Sequence, residues 1–292
     1  MLALVVSTTV ADVELASDAL WSLGVVAIEE RAAAHGSELW TSLGDDSDAV
    51  IAAASRRLAQ WAWRFVEVDE TVADTWRDHV QPVWVEPDLV ICPAWLRFEP
   101  DTDLRPGVTV LRIEPGATFG LGDHPTTILS MRAIRRMLHA GADVLDVGCG
   151  SGVLAVGACV LGASRAIAID ISLASVPITT ANAATNGVVD LVDASTTPLA
   201  KIDRQFDIVV ANILAPTLIE LAADLVRVVA PSGVLIISGV LADRHEHVEA
   251  ALRPLRRIHR ETLDGWAVVT LAADRPSVDS RPNSSENPLA LQ

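Results

Sequence analysis

Val144-Leu-Asp-Val-Gly-Cys-Gly-Ser-Gly152 is the stretch of sequence that decides the fold. Its apolar start is typical of a buried strand, and the apolar run from Val153 to Leu161 that follows it predicts a helix. Between them, alternate glycines predict a turn, because glycine adopts positive φ and lets the backbone approach a ligand closely. The pattern therefore predicts a strand, a turn and a helix that hold a nucleotide-like ligand at the carboxyl end of a sheet.

A carboxylate follows at the end of the next predicted strand, in Ile169-Asp170. It comes about 20 residues after the glycine turn, the separation at which an acidic side chain can accept hydrogen bonds from ribose hydroxyls. The interpretation is that Asp170 binds the sugar of a nucleoside cofactor.

The glycine spacing separates two classes of cofactor. A dinucleotide pattern G-x-G-x-x-G fails from Gly148, because Val153 holds the last position, and passes from Gly150 only in a relaxed form that ends at Ala155. Asp146 precedes a G-x-G-x-G order instead, and its negative charge favours a cationic sulfonium over a pyrophosphate. S-adenosylmethionine is the favoured cofactor, while NAD and a glycine turn without a ligand stay open.

Short β-rich runs alternate with helical runs on both sides of this unit. The strands are predicted at 143–147, 166–170, 188–192, 207–211, 233–238 and 266–271, and the helices at 126–138, 153–161, 174–185, 217–229 and 243–252. Such alternation predicts βαβ units and a mostly parallel sheet. We therefore expect an α/β fold class, which together with the favoured cofactor predicts a class I, Rossmann-like methyltransferase domain.

The first 68 residues follow a different order. Strands at 2–9, 25–30, 37–42 and 62–68 and helices at 11–23 and 49–58 give the split βαβ order of ferredoxin-like domains. The domain prediction is a small α+β domain over 1–68, a helical linker over 69–84, a catalytic domain over 85–272 with short strands near 89–92 and 108–113, and a disordered tail rich in Pro, Ser and Asn over 273–292.

Composition narrows the partners. The 292 residues carry a net charge of -16, which repels phosphate backbones and attracts basic proteins, unless the acidity only confers solubility. The expectation is a basic protein substrate with no direct nucleic-acid contact.

Three cysteines without CxxC spacing indicate neither a disulfide framework nor zinc, and the pair His245 and His247 is interpreted as a solvated helix face, so no metal is expected. The uncharged run 147–164 fits a buried strand and helix better than a membrane span, and the start of the chain lacks a cationic signal region. A cytoplasmic monomer is expected.

A second informative stretch is Glu114-Pro-Gly-Ala-Thr-Phe-Gly-Leu-Gly-Asp-His-Pro-Thr-Thr127. Its glycines predict a flexible loop around Phe119, and Pro125 predicts the first turn of a helix, with Asp123 and His124 as capping candidates. The hydroxyl of Thr127 would then lie near a positive helix end, where the carboxylate of a cofactor could bind. An ordered cap without a ligand is the alternative, and His124 is interpreted as a structural hydrogen-bonding residue rather than a base.

Asn212 ends the apolar strand predicted from Phe206, at the sheet edge where open α/β sheets bind ligands. Its side-chain carbonyl could accept a hydrogen bond from an amine and aim the nitrogen at a methyl group. Ile213 and Leu214 follow in place of the Pro-Pro-aromatic sequence that stacks on flat substrates, which favours an aliphatic amine. Asn212 as a simple turn residue stays open.

Taken together, these motifs resemble the PrmA-type methyltransferases. The resemblance covers nearly all of residues 1–272 and includes the 115–127 loop, the Asp146 glycine turn, Ile169-Asp-Ile171, Asn212-Ile-Leu-Ala215, Ser238-Gly-Val-Leu-Ala242 and the stretch 76–95. It implies methylation of lysine side chains, and of an α-amino group, on ribosomal protein number eleven of the large subunit. It also implies an N-terminal domain that grips this substrate.

The resemblance implies cofactor contacts at Thr127, Gly148, Asp170 and Asn212, with Asn212 as the catalytic residue. Phe119 and Gly150 complete the predicted S-adenosylmethionine site. The chain departs from the family at Leu121 and Asp123, where threonines are usual, and at Ser172, where a second acidic residue is common. Three alternatives stay open. The enzyme could methylate another protein, such as the electron-transfer flavoprotein β subunit, or the chain could be an NAD-dependent oxidoreductase. It could also be a cofactor-binding module without catalysis.

Overall fold

The computed structural model describes residues 2–9, 12–21, 23, 25, 28–33, 36–42, 47–67, 80–98, 107–114 and 122–273. The loop residues 115–121, with Phe119, therefore lie outside the described part, as do residues 69–79 of the expected linker and residues 274–292 of the expected tail.

The N-terminal elements form a four-stranded antiparallel sheet with two helices. They are β1 (Leu2–Thr8), α1 (Val13–Trp21), β2 (Glu29–Ala33), β3 (Gly36–Ser42), α2 (Ser47–Arg57) and β4 (Ala62–Glu67). The strand order β2-β3-β1-β4 confirms the ferredoxin-like prediction. Alternate residues of β1, Leu4 and Val6, pack against Ala16 and Leu20 of α1, as the period of two requires when one face of a sheet is covered.

The second strand lies later than the sequence predicts. The apolar run from residue 25 suggested a strand over 25–30, whereas β2 begins at Glu29 and pairs with β3 as far as the Ala33–Gly36 contact. Val25 belongs to the core without belonging to a strand. The hydrophobic character of Val25 therefore indicates that it is buried, and does not indicate that it lies in a strand.

A three-stranded sheet precedes the central sheet along the chain. It consists of β5 (Val83–Glu86), β6 (Leu89–Pro93) and β7 (Thr109–Ile113), with β5 antiparallel and β7 parallel to β6. The sequence placed residues 83 and 84 in the helical linker. They begin β5 instead, because a tight turn at residues 87–88 pairs them with β6.

The remaining elements build the α/β domain. They are α3 (Pro125–Met137), β8 (Asp143–Val147), α4 (Val153–Val160), β9 (Arg165–Ile169), α5 (Ser175–Thr185), β10 (Val192–Ser195), β11 (Phe206–Asn212), α6 (Ala215–Glu220), α7 (Ala222–Arg227), β12 (Val229–Leu241), α8 (Glu246–Ala251), β13 (Arg256–Leu263) and β14 (Trp266–Ala272). The order β10-β9-β8-β11-β12-β14-β13 is parallel through β12 and antiparallel for β14 and β13. This seven-stranded sheet confirms the expected α/β architecture.

Both faces of the central sheet are covered. Along β8, Val144 packs into one apolar cluster with Leu129 and Ile134 of α3, while Leu145 packs into the opposite cluster with Leu218 of α6. Parallel strands buried on both faces are expected to be apolar throughout, which explains why β8 and β11 were easy to recognise.

Three elements differ from the sequence prediction. The helix expected over 217–229 is two helices that meet at Leu221, and the run 188–192 is a 3₁₀ turn followed by β10. Strand β13 was missed, because its exposed arginines Arg256, Arg257 and Arg260 do not resemble a strand. Pairing with β14 determines its conformation.

Arginines of α3 join the three-stranded sheet to the far edge of the central sheet. Arg132 donates to the carbonyl oxygen of Val85 at 2.8 Å and to Glu261 on β13 at 3.0 Å. Arg135 donates to both carboxylate oxygens of Asp88, each at 2.6 Å. No helix among the described residues has the length and apolar character that a membrane span requires.

Candidate active site at the carboxyl edge of the central sheet

The chain reverses its direction across the sheet between β8 and β11. From β8 the strands run outward through β9 to β10, and the chain then returns to place β11 on the other side of β8. Open α/β sheets bind ligands at such a switch point, outside the carboxyl ends of the strands. The ends of these strands bring Gly148, Asp170 and Asn212 to one edge.

The glycine turn is held close to its neighbours. Gly148 has φ 78° and donates to the carbonyl oxygen of Ile169 at 2.8 Å. A Cβ on Gly148 would lie 2.4 Å from Cγ2 of Ile213, the residue after Asn212. Only glycine therefore fits at this point, which explains the residue type that the sequence singled out.

Asp170 is hydrogen-bonded to the turn. Its Oδ2 accepts from the N–H of Gly150 at 2.8 Å, and its Oδ1 accepts from the N–H of Ser172 at 2.8 Å. Each oxygen keeps acceptor capacity, since an ionised carboxylate offers about four lone-pair sites. The side chain is half-buried, so it remains accessible to a ligand such as a ribose.

Asp146 lies beneath the turn and is fully buried. Its Oδ2 accepts from the N–H of Ala155 at 3.1 Å, whereas Oδ1 has no hydrogen-bond partner in the described part of the chain. Burial raises the pKa of the Asp146 carboxyl to about 7; the Ala155 hydrogen bond lowers the pKa and the nearby charge of Asp170 raises it. A cation bound in the crevice would stabilise the ionised form.

Helix α3 begins as the sequence predicts. His124 is the N-cap, its Nδ1 accepts from the N–H of Thr126 at 3.3 Å, and Pro125 occupies the first turn. Burial lowers the pKa of His124, although Asp123 opposes the shift. His124 also contacts the ring of Trp266, with centroids 5.0 Å apart. These contacts support the structural interpretation of His124.

Thr127 is 1% exposed, and its Oγ1 has no hydrogen-bond partner among the described residues. A buried hydroxyl without a partner costs free energy, so such a group requires an explanation. The open N-terminal end of a helix favours anions, and a carboxylate acceptor would satisfy this hydroxyl. The residue thus fits the predicted role of a cofactor contact.

Asn212 is the last residue of β11, between the ends of β8 and β12. It pairs in register with Ser238 of β12, and its half-buried carboxamide makes no hydrogen bond within the described residues. A free carboxamide at the switch point can accept a hydrogen bond from an incoming amine.

The histidine interpretation was partly wrong. His247 is exposed as expected, but His245 is 2% exposed and lies 2.9 Å from Glu249 in an i, i+4 pair. His245 is the N-cap residue of α8, and its side chain packs into the interior rather than facing solvent.

The described residues contain no group of three or more His, Cys, Asp or Glu that could hold a metal ion. All three cysteines are buried and unpaired, and burial raises the pKa of the Cys159 thiol to about 11.

Two features escaped the sequence analysis. Thr179 and Asn182 on α5 are buried and hydrogen-bond the glycine turn, and their spacing on one helix face was the available signal. A cavity of about 610 Å³ lies in the N-terminal sheet, where its lining includes Asp12, Leu15 and Glu38. None of the predicted cofactor residues in the described part of the chain lines it, whereas Gly148, Asp170 and Asn212 lie together at the switch point.

Comparison with known proteins shows the family of the chain. A model described as Ribosomal protein L11 methyltransferase (PrmA) matches residues 46–274. The chain belongs to this family. A crystal structure of a ribosomal protein L11 methylase from Lactobacillus delbrueckii subsp. bulgaricus superposes with a TM-score of 0.61 at 31% identity, covering 67% of this chain and 99% of that one.

Sequence relatives carry the same family name. The Ribosomal protein L11 methyltransferase of Geobacter metallireducens is 46% identical over 180 residues, which are 62% of this chain and 58% of the relative. That of Geotalea daltonii is 39% identical over 215 residues, 69% of this chain and 67% of the relative. The chain thus spans about three-fifths to two-thirds of these relatives. The matches do not favour the electron-transfer flavoprotein or NAD alternatives.

Proposed function

We propose that this protein is an S-adenosylmethionine-dependent methyltransferase that methylates lysine and other amino groups of ribosomal protein L11. The observation that carries the proposal is the convergence of the glycine turn, Asp170 and Asn212 at one switch point, in a chain of the L11 methyltransferase family.

The site suits the cofactor in chemistry and charge. Thr127 would bind the carboxylate end, Gly148 and Gly150 would bring the backbone close to the ligand, and Asp170 would bind the ribose. Phe119 is the further contact proposed from the preceding loop. Asp146 supplies a buried carboxylate with an oxygen that lacks a partner, which a cation would stabilise. When bound, the cofactor supplies an activated methyl group on a sulfonium.

Asn212 orients the nucleophile. Its carbonyl oxygen accepts a hydrogen bond from the substrate amine, which directs the nitrogen lone pair toward the methyl group. Since the methyl donor is already activated, positioning supplies most of the rate. A lysine amine has a pKa near ~10.4 and must be neutral to attack. Desolvation in the crevice favours the neutral amine, so the proposed mechanism needs no dedicated base.

The proposed substrate is a basic protein, for which the net charge of -16 is complementary. The N-terminal sheet and helices would recognise this substrate. In the proposal, neither domain contacts nucleic acid directly. We place the reaction in the cytoplasm and expect the chain to act as a monomer.

The test is transfer of a radiolabelled methyl group from S-adenosylmethionine to purified L11 by the full chain. The electron-transfer flavoprotein β subunit and a cell extract are parallel substrates. Label on L11, lost in Asn212→Ala but kept in the surface variant Asp193→Ala, would support the proposal. Label only on another protein would overturn the substrate. Binding of NADH with no binding of S-adenosylmethionine, measured by calorimetry, would overturn the reaction class.

A further inference from the structure

Helix α5 buries polar side chains on the face that meets the glycine turn. Ser175, Thr179 and Asn182 are each at most 1% exposed, and their spacing places them on one face of the helix. A helix that packs on a sheet normally buries an apolar stripe instead. Buried polar groups are costly unless they are hydrogen-bonded, so the partners of this face indicate its purpose.

Asn182 joins two separate segments of the crevice. Its Nδ2 donates to the carbonyl oxygen of Ser151 in the glycine turn at 2.9 Å and to that of Glu114 at 2.8 Å. Its Oδ1 accepts from the N–H of Glu114 at 2.9 Å. These are three of the four hydrogen bonds that a carboxamide can make. A single buried side chain therefore fixes the glycine turn to the residue that follows β7.

Further hydrogen bonds hold the turn at Gly150. Thr179, one turn earlier on α5, donates to the carbonyl oxygen of Gly150 at 3.3 Å, and Asp170 accepts from the N–H of the same residue. Side chains of α5 thus donate to the carbonyl oxygens of the turn at Gly150 and Ser151, while the carboxylate of Asp170 accepts from the N–H of Gly150. Of these three side chains, Asn182 is the one that also bonds Glu114, the residue after β7.

We propose that Asn182 is a positioning residue for the cofactor crevice, which holds Ser151 and Glu114 in one arrangement before the cofactor binds. The inference rests on the proposed function. A preorganised site loses less conformational freedom on binding, so the cofactor binds more tightly than it would to a turn that must be ordered. Asn182 acts through the backbone.

The chain contains a matched control at the end of the same helix, where Asn186 is the C-cap residue. Asn186, one turn later, accepts from the N–H of Arg112 at 2.9 Å and donates to the carbonyl oxygens of Arg112 at 2.7 Å and Asn182 at 2.8 Å. It makes the same kind of bridge to β7, yet none of these bonds involves the glycine turn. Loss of Asn186 therefore measures the cost of breaking such a bridge.

The experiment compares Asn182→Ala with Asn186→Ala in the full chain. Calorimetry measures the Kd of S-adenosylhomocysteine, and thermal unfolding without ligand measures stability. Both variants should lower Tm. Asn182→Ala should weaken binding at least about tenfold, the effect of a hydrogen bond or two, and Asn186→Ala by less than about threefold. The KM for S-adenosylmethionine should rise in Asn182→Ala while kcat changes little.

Hydrogen exchange of the free protein provides a second readout. Amides of residues 148–152 should exchange faster in Asn182→Ala than in Asn186→Ala. Equal losses of affinity in the two variants, or unchanged affinity in Asn182→Ala, would overturn the inference. If Asn182→Ala does not fold, Asn182→Asp, which keeps the size and the acceptor for Glu114, is judged by the same criteria. A wild-type chain that fails to bind S-adenosylhomocysteine would overturn the proposed function itself, which separates the two failures.

Discussion

The N–H of Gly150 donates to the carboxylate of Asp170 at 2.8 Å, which joins the turn after β8 to the end of β9. Hydrogen bonds to an ionised acceptor are stronger than those between neutral groups. Asp170 therefore shapes the turn in addition to facing the crevice. Substitution of this residue is therefore expected to remove both the hydrogen bond that shapes the turn and the proposed contact with the ribose.

Asp170→Ala should reduce the affinity for S-adenosylmethionine by at least about 100-fold, because it would remove two charge-assisted hydrogen bonds to the ribose hydroxyls, each contributing roughly 1.5–3 kcal/mol. Calorimetry on the purified chain measures this loss. The control is Asp193→Ala, since Asp193 is an exposed carboxylate on the neighbouring β10 whose partner is Arg165 at 3.2 Å. An affinity of Asp170→Ala equal to that of the control would refute the assigned role.

Thr127→Val should weaken cofactor binding by about tenfold, the usual contribution of a hydrogen bond to a charged group. Valine has the same shape as threonine and removes a buried hydroxyl that has no partner in the described structure, so Tm without ligand should not fall. Ser130→Ala is the control, because Ser130 is a buried hydroxyl without a partner one turn along α3. If both variants bind the cofactor as the wild type does, Thr127 is not a contact.

Asn212→Ala should lower kcat by about 100-fold while leaving the Kd of the cofactor nearly unchanged, because small errors in the position of a nucleophile have effects of this size. Single-turnover kinetics with L11, together with calorimetry, separate the two quantities. Equal losses in turnover and in cofactor affinity would show that Asn212 serves the cofactor rather than the amine.

Asp146 should make stability depend on pH. Its pKa in the folded chain is raised from 3.8 to about 7 by burial, so its contribution to stability is fully present below pH 4 and is lost as the pH rises toward 7. The reason is that between these two pKa values the carboxyl loses its proton readily in the unfolded chain but keeps it in the folded chain, so a rise in pH favours the unfolded state. Thermal unfolding of Asp146→Asn without ligand should give a Tm above that of the wild type at pH 8, with a difference that shrinks toward pH 4. A difference that is constant with pH would contradict the assignment.

Much of this architecture could be predicted from the sequence, because the strongest signals were local. The glycine turn, the apolar strands β8 and β11 and the proline at the start of α3 each have a direct steric or hydrophobic cause within a few residues. The sites of Gly148, Asp170 and Asn212 followed from the rule that parallel strands end at one edge. Their roles as ligand contacts stay predictions.

The missed features depend on contacts between distant segments. Asn182 reads as an ordinary polar helix residue until the structure shows its bonds to Glu114 and Ser151. His245 reads as solvated until the fold brings it to Glu249 in a buried position. Strand β13 exists because β14 offers a partner, which no property of its arginine-rich sequence reveals.

The same arginines have a consequence for the behaviour of the protein in concentrated solution. An edge strand exposes unpaired backbone groups that can recruit a strand from another molecule, and natural proteins discourage this with charged side chains or very short edges. On one side of the central sheet, β13 carries Arg256, Arg257 and Arg260 in exposed positions, and on the other side β10 is only 4 residues long. Both borders of the sheet are therefore protected against self-association into extended β-aggregates.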